Sequence, residues 1–299
     1  MPTPLIIPDY ARPSALMVPH YDASLLGLLE AIATAASEWI GVILLSADPD
    51  LSQAFVARQA RPRRFTIVAA PYDTPWIRDR APIAVREDGG VGWILPRMIE
   101  ADRPFDDSLF ATISARELRH APLAIAQGNL VAGPAGIALS TSRVLRENRL
   151  GAGAVDALAP DLGIRRWIVF EPFPEEPTGH ADIHVRFLRA DLVAVAWHPE
   201  DPALQQVARE IEHRVKALRP ATRSLRIPLA RDGDRYASLV NWIQVGRNLL
   251  LPVYGMTPPD ALAQATGLLA EEGFRVHPLP SPTLALGGSL HCLTASIFV

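Results

Sequence analysis

Apolar residues follow two patterns, and these patterns alternate along the chain. Between residues 22 and 39 they recur every three or four positions, which predicts an amphipathic helix, whereas the continuous apolar run 40–45 predicts a buried strand. Further helices are predicted at residues 48–59, 202–218 and 258–272. Strands that alternate with helices in this way indicate an α/β protein.

A unit of strand, polar loop and strand returns at intervals of about 50 to 60 residues, with helices between the units. The successive loops are marked by Asp79, Asn129, His180, Asn241 and Cys292. Five such units can close into a ring without an open sheet edge, and their equivalent loops then converge on one end of the ring axis. The repeat therefore favours a closed ring, with a doubly wound open sheet as the alternative.

The composition is that of a globular protein, with 49% hydrophobic and 20% charged residues among 299. A formal net charge of −3 does not suggest a nucleic-acid partner. No run of about 18 residues is free of polar interruption, and the first residues resemble neither a signal peptide nor a membrane anchor. We expect a cytoplasmic protein with no membrane partner, and the sequence indicates no oligomeric state.

Cys292 is the only cysteine of the chain, and it follows a pair of glycines near the C-terminal end. A single cysteine excludes an internal disulfide and a metal cage built from thiolates. Free cysteines most often pack as small apolar residues. The glycines allow backbone N–H groups to approach a ligand closely, so a nucleophile is the second interpretation.

Two loops carry side chains that could work with a thiolate. His180 and Asp182 have the same strand parity, and an imidazole beside a carboxylate that faces a cysteine is the arrangement needed for thiolate catalysis. Residues 73–82 place two acids and two arginines around a tryptophan, a cluster equally typical of a solvated ion-pair loop. His291 would point away from the face that Cys292 occupies, which makes it the weaker candidate for the base.

Several ordered motifs resemble the agmatine deiminase and bacterial peptidylarginine deiminase family and cover most of the chain. They are residues 76–82 (WIRDRAP), 179–182 (GHAD) with 186–187, 236–241 ahead of 251–255, and 287–294 (GGSLHCLT). The resemblance implies a five-bladed α/β propeller of the guanidine-modifying superfamily (a pentein), with residues 1–299 as a single catalytic domain of five ββαβ-like repeats. It also implies no metal and no organic cofactor.

The resemblance implies a role for each residue of the site. Cys292 would be the nucleophile, His180 the general acid and base, and Asp79 and Asp182 the carboxylates that hold a guanidinium. Further candidate substrate-binding residues are Trp76, Asp73, Asn129, Arg78 and Gly288. The substrate would be a small guanidino compound such as agmatine or an arginine derivative, which loses ammonia through a covalent thiouronium intermediate. Arg78, Arg186 and Arg231 are candidates for binding a substrate carboxylate, with a scaffold role as the alternative.

The second loop departs from the family pattern. Where family members usually carry a glutamate that orients the catalytic histidine, this chain has Ala126. Gln127 could replace that acid only if the loop shifted by one residue. The change leaves two alternatives open: an amidinotransferase or alkylguanidine hydrolase of the same superfamily, and a guanidine-binding protein with low turnover.

Overall fold

The computed structural model of the protein describes residues 4–20, 24–97, 102–114, 118–151 and 153–299. The strands are β1 (Leu5–Ile6), β2 (Ala15–Pro19), β3 (Gly41–Ser46), β4 (Phe65–Ala69), β5 (Ile83–Glu87), β6 (Gly90–Arg97), β7 (Arg119–Ala124), β8 (Val131–Ala132), β9 (Ile137–Thr141), β10 (Arg166–Phe170), β11 (Val185–Arg189), β12 (Leu192–Trp197), β13 (Arg223–Asp232), β14 (Arg235–Ser238), β15 (Ile243–Val245), β16 (Asn248–Val253), β17 (Arg275–Pro280) and β18 (Ala295–Ile297). The helices are α1 (Leu26–Ser37), α2 (Pro49–Ala57), α3 (Pro104–Ile113), α4 (Arg143–Asn148), α5 (Val155–Leu158), α6 (Pro202–Leu218) and α7 (Pro259–Glu271).

Within the described ranges the strands form five sheets of three or four strands each. Every sheet contains an antiparallel pair, and helical structure joins the second strand of that pair to a third strand that lies parallel to it. The sheet orders are β18-β2-β3-β4, β1-β5-β6-β7, β10-β9-β8, β11-β12-β13-β14 and β15-β16-β17. The architecture is a mixed α/β fold in which one strand arrangement recurs.

The two ends of the chain meet in one sheet. β18 pairs antiparallel with β2, with Ala295 opposite Met17, and the sheet continues from β2 through β3 to β4. The hydrophobic pattern does not predict β2, because its five residues end in a proline and follow a proline-rich start. This pairing carries Cys292, just before β18, to the loops that follow the N-terminal strands.

Helix α6 illustrates why apolar spacing predicts the long helices well. The carboxylate of Asp201 accepts hydrogen bonds from the backbone N–H groups of Ala203 and Leu204, and Pro202 lies in the first turn, where an N–H has no helical partner in any case. The buried residues of the helix are Leu204, Val207, Ala208, Ile211, Glu212 and Val215. They form one face, which packs against β12 and β10. The predicted bounds of this helix are confirmed.

Other predicted boundaries shift by a few residues. The helix predicted at residues 22–39 is α1; Asp22, its predicted start, lies outside the described residues. The apolar run 183–188 predicts a strand, which begins only at Val185 because residues 181–183 form a 3-10 turn. Residues 286–292, predicted as the polar loop ahead of the terminal strand, do form turns and irregular backbone, and that strand is β18.

The hydrophobic core lies between the sheets and the helices that cover them. Its largest cluster surrounds α6 and β12 and includes Phe187 and Trp242, both fully buried. Burial of a phenylalanine side chain contributes ~1.5–3 kcal/mol, so the sheets form a stable base for the loops between them. In the part of the chain that the structure describes, no helix is both long and apolar enough to cross a membrane.

Candidate active site

Five polar loops carry the candidate residues, and each follows the last strand of one sheet. Four of them contain a 3-10 turn: Ile77–Arg80 after β4, Gln127–Asn129 after β7, Ala181–Ile183 after β10 and Leu284–Leu286 after β17. The fourth loop, 239–242, follows β14, and the fifth, 281–294, follows β17. A 3-10 helix has three residues per turn, so the side chains of such a turn do not alternate between two faces as those of a strand do.

The first, third and fifth loops contribute to the lining of a cleft of about 580 Å³. Asp79, His180 and Cys292 line it, together with Trp76 and Gly288. A side chain at position 288 would clash with the indole of Trp76, so the glycine allows the first and fifth loops to touch. Among the described residues, no group of three or more His, Cys, Asp or Glu side chains is placed to hold a metal ion.

The thiol of Cys292 lies against two side chains from other loops. Its Sγ is 3.8 Å from Oδ2 of Asp182 and 3.6 Å from Nδ2 of Asn241. Burial, together with the carboxylates of Asp182 and Asp79, raises the pKa of the thiol well above its ordinary value. The thiol is therefore protonated at neutral pH in the free protein.

Asp182 is fully buried beside this thiol. Its Oδ2 accepts a hydrogen bond from Nδ1 of His291 at 2.7 Å, and its Oδ1 has no hydrogen-bond partner among the described residues. Burial raises the pKa of the carboxyl to about 6, against the opposing charges of His180 and Arg186. At neutral pH Asp182 is ionised and has an oxygen available for a donor.

His180 pairs with a different acid from the one that the sequence suggests. Its Nδ1 lies 3.4 Å from Oδ1 of Asp79, whereas Asp182 is hydrogen-bonded to His291. The expected shared strand face of His180 and Asp182 is wrong, because residues 181–183 form a 3-10 turn. The two side chains lie near each other all the same, since the charge of His180 lowers the pKa of Asp182.

The backbone of His180 is held by a second histidine, which the sequence pattern does not single out. Nδ1 of His184 donates to the carbonyl oxygen of His180 at 2.7 Å, and its Nε2 accepts from the N–H of Phe173 at 2.8 Å. Only a neutral ring with its proton on Nδ1 satisfies both contacts. Burial lowers the pKa of His184 to about 3, which keeps the ring in that form.

The structure does not place Arg78 in the cleft. Its backbone N–H donates to the carbonyl oxygen of Cys292 at 3.2 Å, and its guanidinium donates to the carbonyl oxygen of His291 at 3.3 Å and to Oε1 of Gln127 at 2.8 Å. The side chain is buried on the other side of the fifth loop. Arg78 therefore connects the first, second and fifth loops, and it does not bind the contents of the cleft.

The two other arginines that were candidates for binding a carboxylate also lie outside the cleft lining. Arg186 is buried, with Nη1 donating to the carbonyl oxygen of Trp242 at 3.3 Å and Nε 3.9 Å from Oδ2 of Asp9. Arg231 pairs with Asp201 at 3.0 Å. Both have the scaffold role that was their alternative.

Asp73 and Asn129 likewise make contacts within the scaffold. Oδ2 of Asp73 accepts from the backbone N–H groups of Phe105 and Asp106, at 2.8 and 3.1 Å, in the first turn of α3. Oδ1 of Asn129 accepts from the backbone N–H of Thr141 at 3.0 Å. Neither side chain lines the cleft, so the structure does not group them with the other predicted substrate-binding residues.

The second loop contributes no acid to the cleft. Ala126 is buried, and the amide oxygen of the next residue, Gln127, accepts a hydrogen bond from Arg78. The shift by one residue that would bring Gln127 to His180 does not occur. The histidine therefore depends on other loops for a hydrogen-bond partner.

Asn241 is a site residue that sequence analysis used only as a marker of the fourth loop. Its Oδ1 accepts from the backbone N–H of His291 at 3.0 Å, and its Nδ2 faces the carbonyl oxygen of Asp182 at 3.4 Å as well as Sγ of Cys292. It thus connects three loops at the thiol. The signal that could have found it is its place at the end of the motif 236–241.

A sequence model of one protein family matches residues 14–297; the family is described as Porphyromonas-type peptidyl-arginine deiminase. No curated protein matches the sequence.

Several solved structures share the fold. The agmatine deiminase of C. jejuni is 19% identical, with a TM-score of 0.81 and coverage of 98% of this chain and 96% of that chain. The agmatine deiminase of Enterococcus faecalis is 15% identical, with a TM-score of 0.82 over 99% and 96%. A dimethylarginine dimethylaminohydrolase is 13% identical, with a TM-score of 0.52 over 94% and 98%.

Proposed function

We propose, from the premise that this chain belongs to the Porphyromonas-type peptidyl-arginine deiminase family, that it is a cysteine-dependent hydrolase of guanidino compounds. The observation that carries the proposal is the cleft. The imidazole of His180, the carboxylate of Asp79 and the thiol of Cys292 line it, and Asp182 contacts the thiol. A guanidinium is a flat cation with several N–H donors, and two carboxylates can hold it by charge-assisted hydrogen bonds.

The entry of this cation prepares the nucleophile. In the free protein, burial and two carboxylates raise the pKa of the Cys292 thiol. A guanidinium held by Asp79 and Asp182 neutralises those negative charges and adds a positive one beside the sulfur. Both changes lower the pKa of the thiol, so ionisation follows binding.

The reaction then proceeds in two halves. The thiol of Cys292 gives its proton to His180, and the thiolate attacks the guanidinium carbon. The imidazolium returns the proton to one amino group, which leaves as ammonia, and a covalent thiouronium remains. Water attacks the same carbon and gives one proton to His180. The carbon–sulfur bond then breaks; the departing sulfur takes that proton from the imidazolium, the hydroxyl on the carbon loses its own proton to solvent, and a ureido product departs. The product is a urea of agmatine or of an arginine derivative.

Intact-protein mass spectrometry tests this function, with ammonia measured in parallel. The protein is incubated separately with agmatine, arginine, an arginine peptide and an alkylguanidine. Each reaction is quenched in acid, and the mass of the intact protein is measured. We expect a covalent adduct on the wild type, ammonia release from at least one compound, and neither signal in Cys292→Ser. Absence of ammonia and of adduct with every compound, from a folded protein, would refute the proposal.

One alternative has an observation in its favour: the second loop has Ala126 in place of an acid. A site without an orienting acid could bind guanidines and turn them over slowly. In that case calorimetry finds binding that survives Cys292→Ala, while the wild type releases no ammonia. An amidinotransferase or alkylguanidine hydrolase would instead release an amine or an amidino product, which the same mass spectra identify.

The proposal extends to the architecture. We take the five sheets to be the five blades of an α/β propeller, with residues 1–299 as one catalytic domain and the cleft at one end of its axis. The recurring strand arrangement and the pairing of β18 with β2 support this assignment.

A further inference from the structure

The imidazole of His180 needs a partner that fixes its proton, and the candidate side chains of the second and third loops are hydrogen-bonded to other residues. A neutral histidine acts as a base only through the ring nitrogen that carries no proton. The amide oxygen of Gln127 accepts from Arg78. Oδ2 of Asp182 accepts from His291. Neither loop therefore supplies an acid to Nδ1 of His180.

Asp79 is the acid that reaches this nitrogen. Its Oδ1 is buried, lies 3.4 Å from Nδ1 of His180 and makes no hydrogen bond among the described residues. Its Oδ2 is 3.8 Å from Nη1 of Arg103. That arginine is anchored in turn, since its Nε donates to Oδ2 of Asp106 at 2.7 Å. The carboxylate is therefore held between a fixed cation and the imidazole.

Gly128 makes the approach of these groups possible. A Cβ atom at this position would lie 3.0 Å from both Oδ1 of Asp79 and Nδ1 of His180. That spacing is tighter than ordinary van der Waals contact, so a side chain here would press the two groups apart. The turn Gln127–Asn129 thus packs its bare backbone against the pair.

We propose that Asp79 is the positioning acid of His180: it accepts the Nδ1 proton and leaves Nε2 as the ring nitrogen that takes and returns protons. The inference rests on the proposed role of His180 as general acid and base. A carboxylate has about four acceptor sites, so one carboxylate can hold the imidazole and a substrate guanidinium together. Asp79 then has two functions, and Asp182 has only the second.

The test reads the position of the proton directly, in the protein without substrate. Nitrogen-15 NMR of the histidine rings distinguishes the Nδ1–H from the Nε2–H form, and His180→Gln identifies the signal of His180. We expect the Nδ1–H form of His180 to predominate in the wild type above pH 8. In Asp79→Asn the ratio of the two forms should move at least fivefold toward Nε2–H.

Asp182→Asn is the matched control, because it removes the same charge from a carboxylate beside the same thiol. It should change the ring signal of His291 and leave that of His180 in the Nδ1–H form. A wild-type His180 with its proton on Nε2 would overturn the inference without any variant. The inference would also be overturned if a folded Asp79→Asn protein kept the wild-type ratio of the Nδ1–H and Nε2–H forms of His180. These readouts need no turnover, so they are independent of whether the proposed deimination is observed.

Discussion

Asp182 and His291 are hydrogen-bonded through Oδ2 and Nδ1 at 2.7 Å, although 109 positions separate them in the chain. Burial, with Arg186 and Arg78 nearby, lowers the pKa of His291 well below its ordinary value. The neutral ring therefore donates its Nδ1 proton to the ionised carboxylate. This contact fixes Asp182 beside Cys292 and leaves the other carboxylate oxygen for a ligand.

The pKa of Asp182 predicts the acid side of the activity profile. A carboxyl with a pKa of about 6 loses its negative charge as the pH falls through that value, and under the proposed function it then holds a guanidinium less well. We expect kcat/KM to fall below pH 6 by up to about tenfold per pH unit. In Asp182→Asn the value should be about a hundredfold lower at pH 7.5, with this acid limb absent. An unchanged acid limb in the variant would contradict the assignment.

The same group predicts how stability depends on pH. The pKa of Asp182 is higher in the folded protein than its ordinary value of 3.8, so the folded state binds the proton more tightly. The contribution of this carboxyl to the free energy of unfolding is greatest below about pH 4. It declines as the pH rises through the window from about 4 to about 6, and above pH 6 it stays at its lowest, unfavourable value. Asp182→Asn should therefore gain stability relative to the wild type between pH 4.5 and 7. Urea denaturation at both pH values measures the difference, and a constant difference would argue against a buried ionised carboxylate.

Asn241 should affect how readily the thiol of Cys292 ionises and reacts. Its Nδ2 faces Sγ of Cys292 at 3.6 Å, and a thiolate accepts hydrogen bonds better than a thiol does. We expect Asn241→Asp, which places a negative charge at that point, to slow alkylation of Cys292 by iodoacetamide about tenfold at pH 8. Deimination should slow as well. Asp88→Asn is the control, because it changes the charge of an exposed residue in the turn before β6 and should leave the alkylation rate unaltered.

Gly288 should tolerate no side chain. An added Cβ would clash with the Trp76 indole, which lines the cleft, so the ring must move. We expect Gly288→Ala to lose ~1–3 kcal/mol of unfolding free energy and to raise KM for the guanidine substrate. Gly255→Ala is the matched control, because no atom lies within 4 Å of a Cβ built there. Equal melting temperatures for the two variants would contradict the prediction, because they would show that the Trp76 ring moves aside without loss of stability.

Asp73 should affect stability and not catalysis. Its carboxylate accepts two backbone N–H groups at the start of α3, a contact that is worth ~1 kcal/mol in helix caps. Asp73→Ala should lower the free energy of unfolding by about that amount and change KM less than twofold. A large rise in KM with unchanged stability would return Asp73 to the substrate-binding residues.

Much of the fold was predictable from the chain. Apolar spacing predicts α6 at its observed bounds, because an N-cap aspartate and a proline mark its start and its buried face recurs every three or four residues. The intervals between polar loops predict that distant loops share one region, and Asp79, His180 and Cys292 do line one cleft. Strand β2 escaped prediction, because five residues ending in proline carry little signal.

The sequence by itself determined which residue types the candidate site has: a single thiol, an imidazole, two acids, a tryptophan and a pair of glycines. These depend on local composition and on loops that follow strands, both of which can be read along the chain. Only the tertiary structure decided the partners. It pairs His180 with Asp79, pairs Asp182 with His291, and buries Arg78 behind Cys292. The reason is physical: in 3-10 turns side chains do not alternate between two faces, so their contacts depend on which loops the sheets bring together.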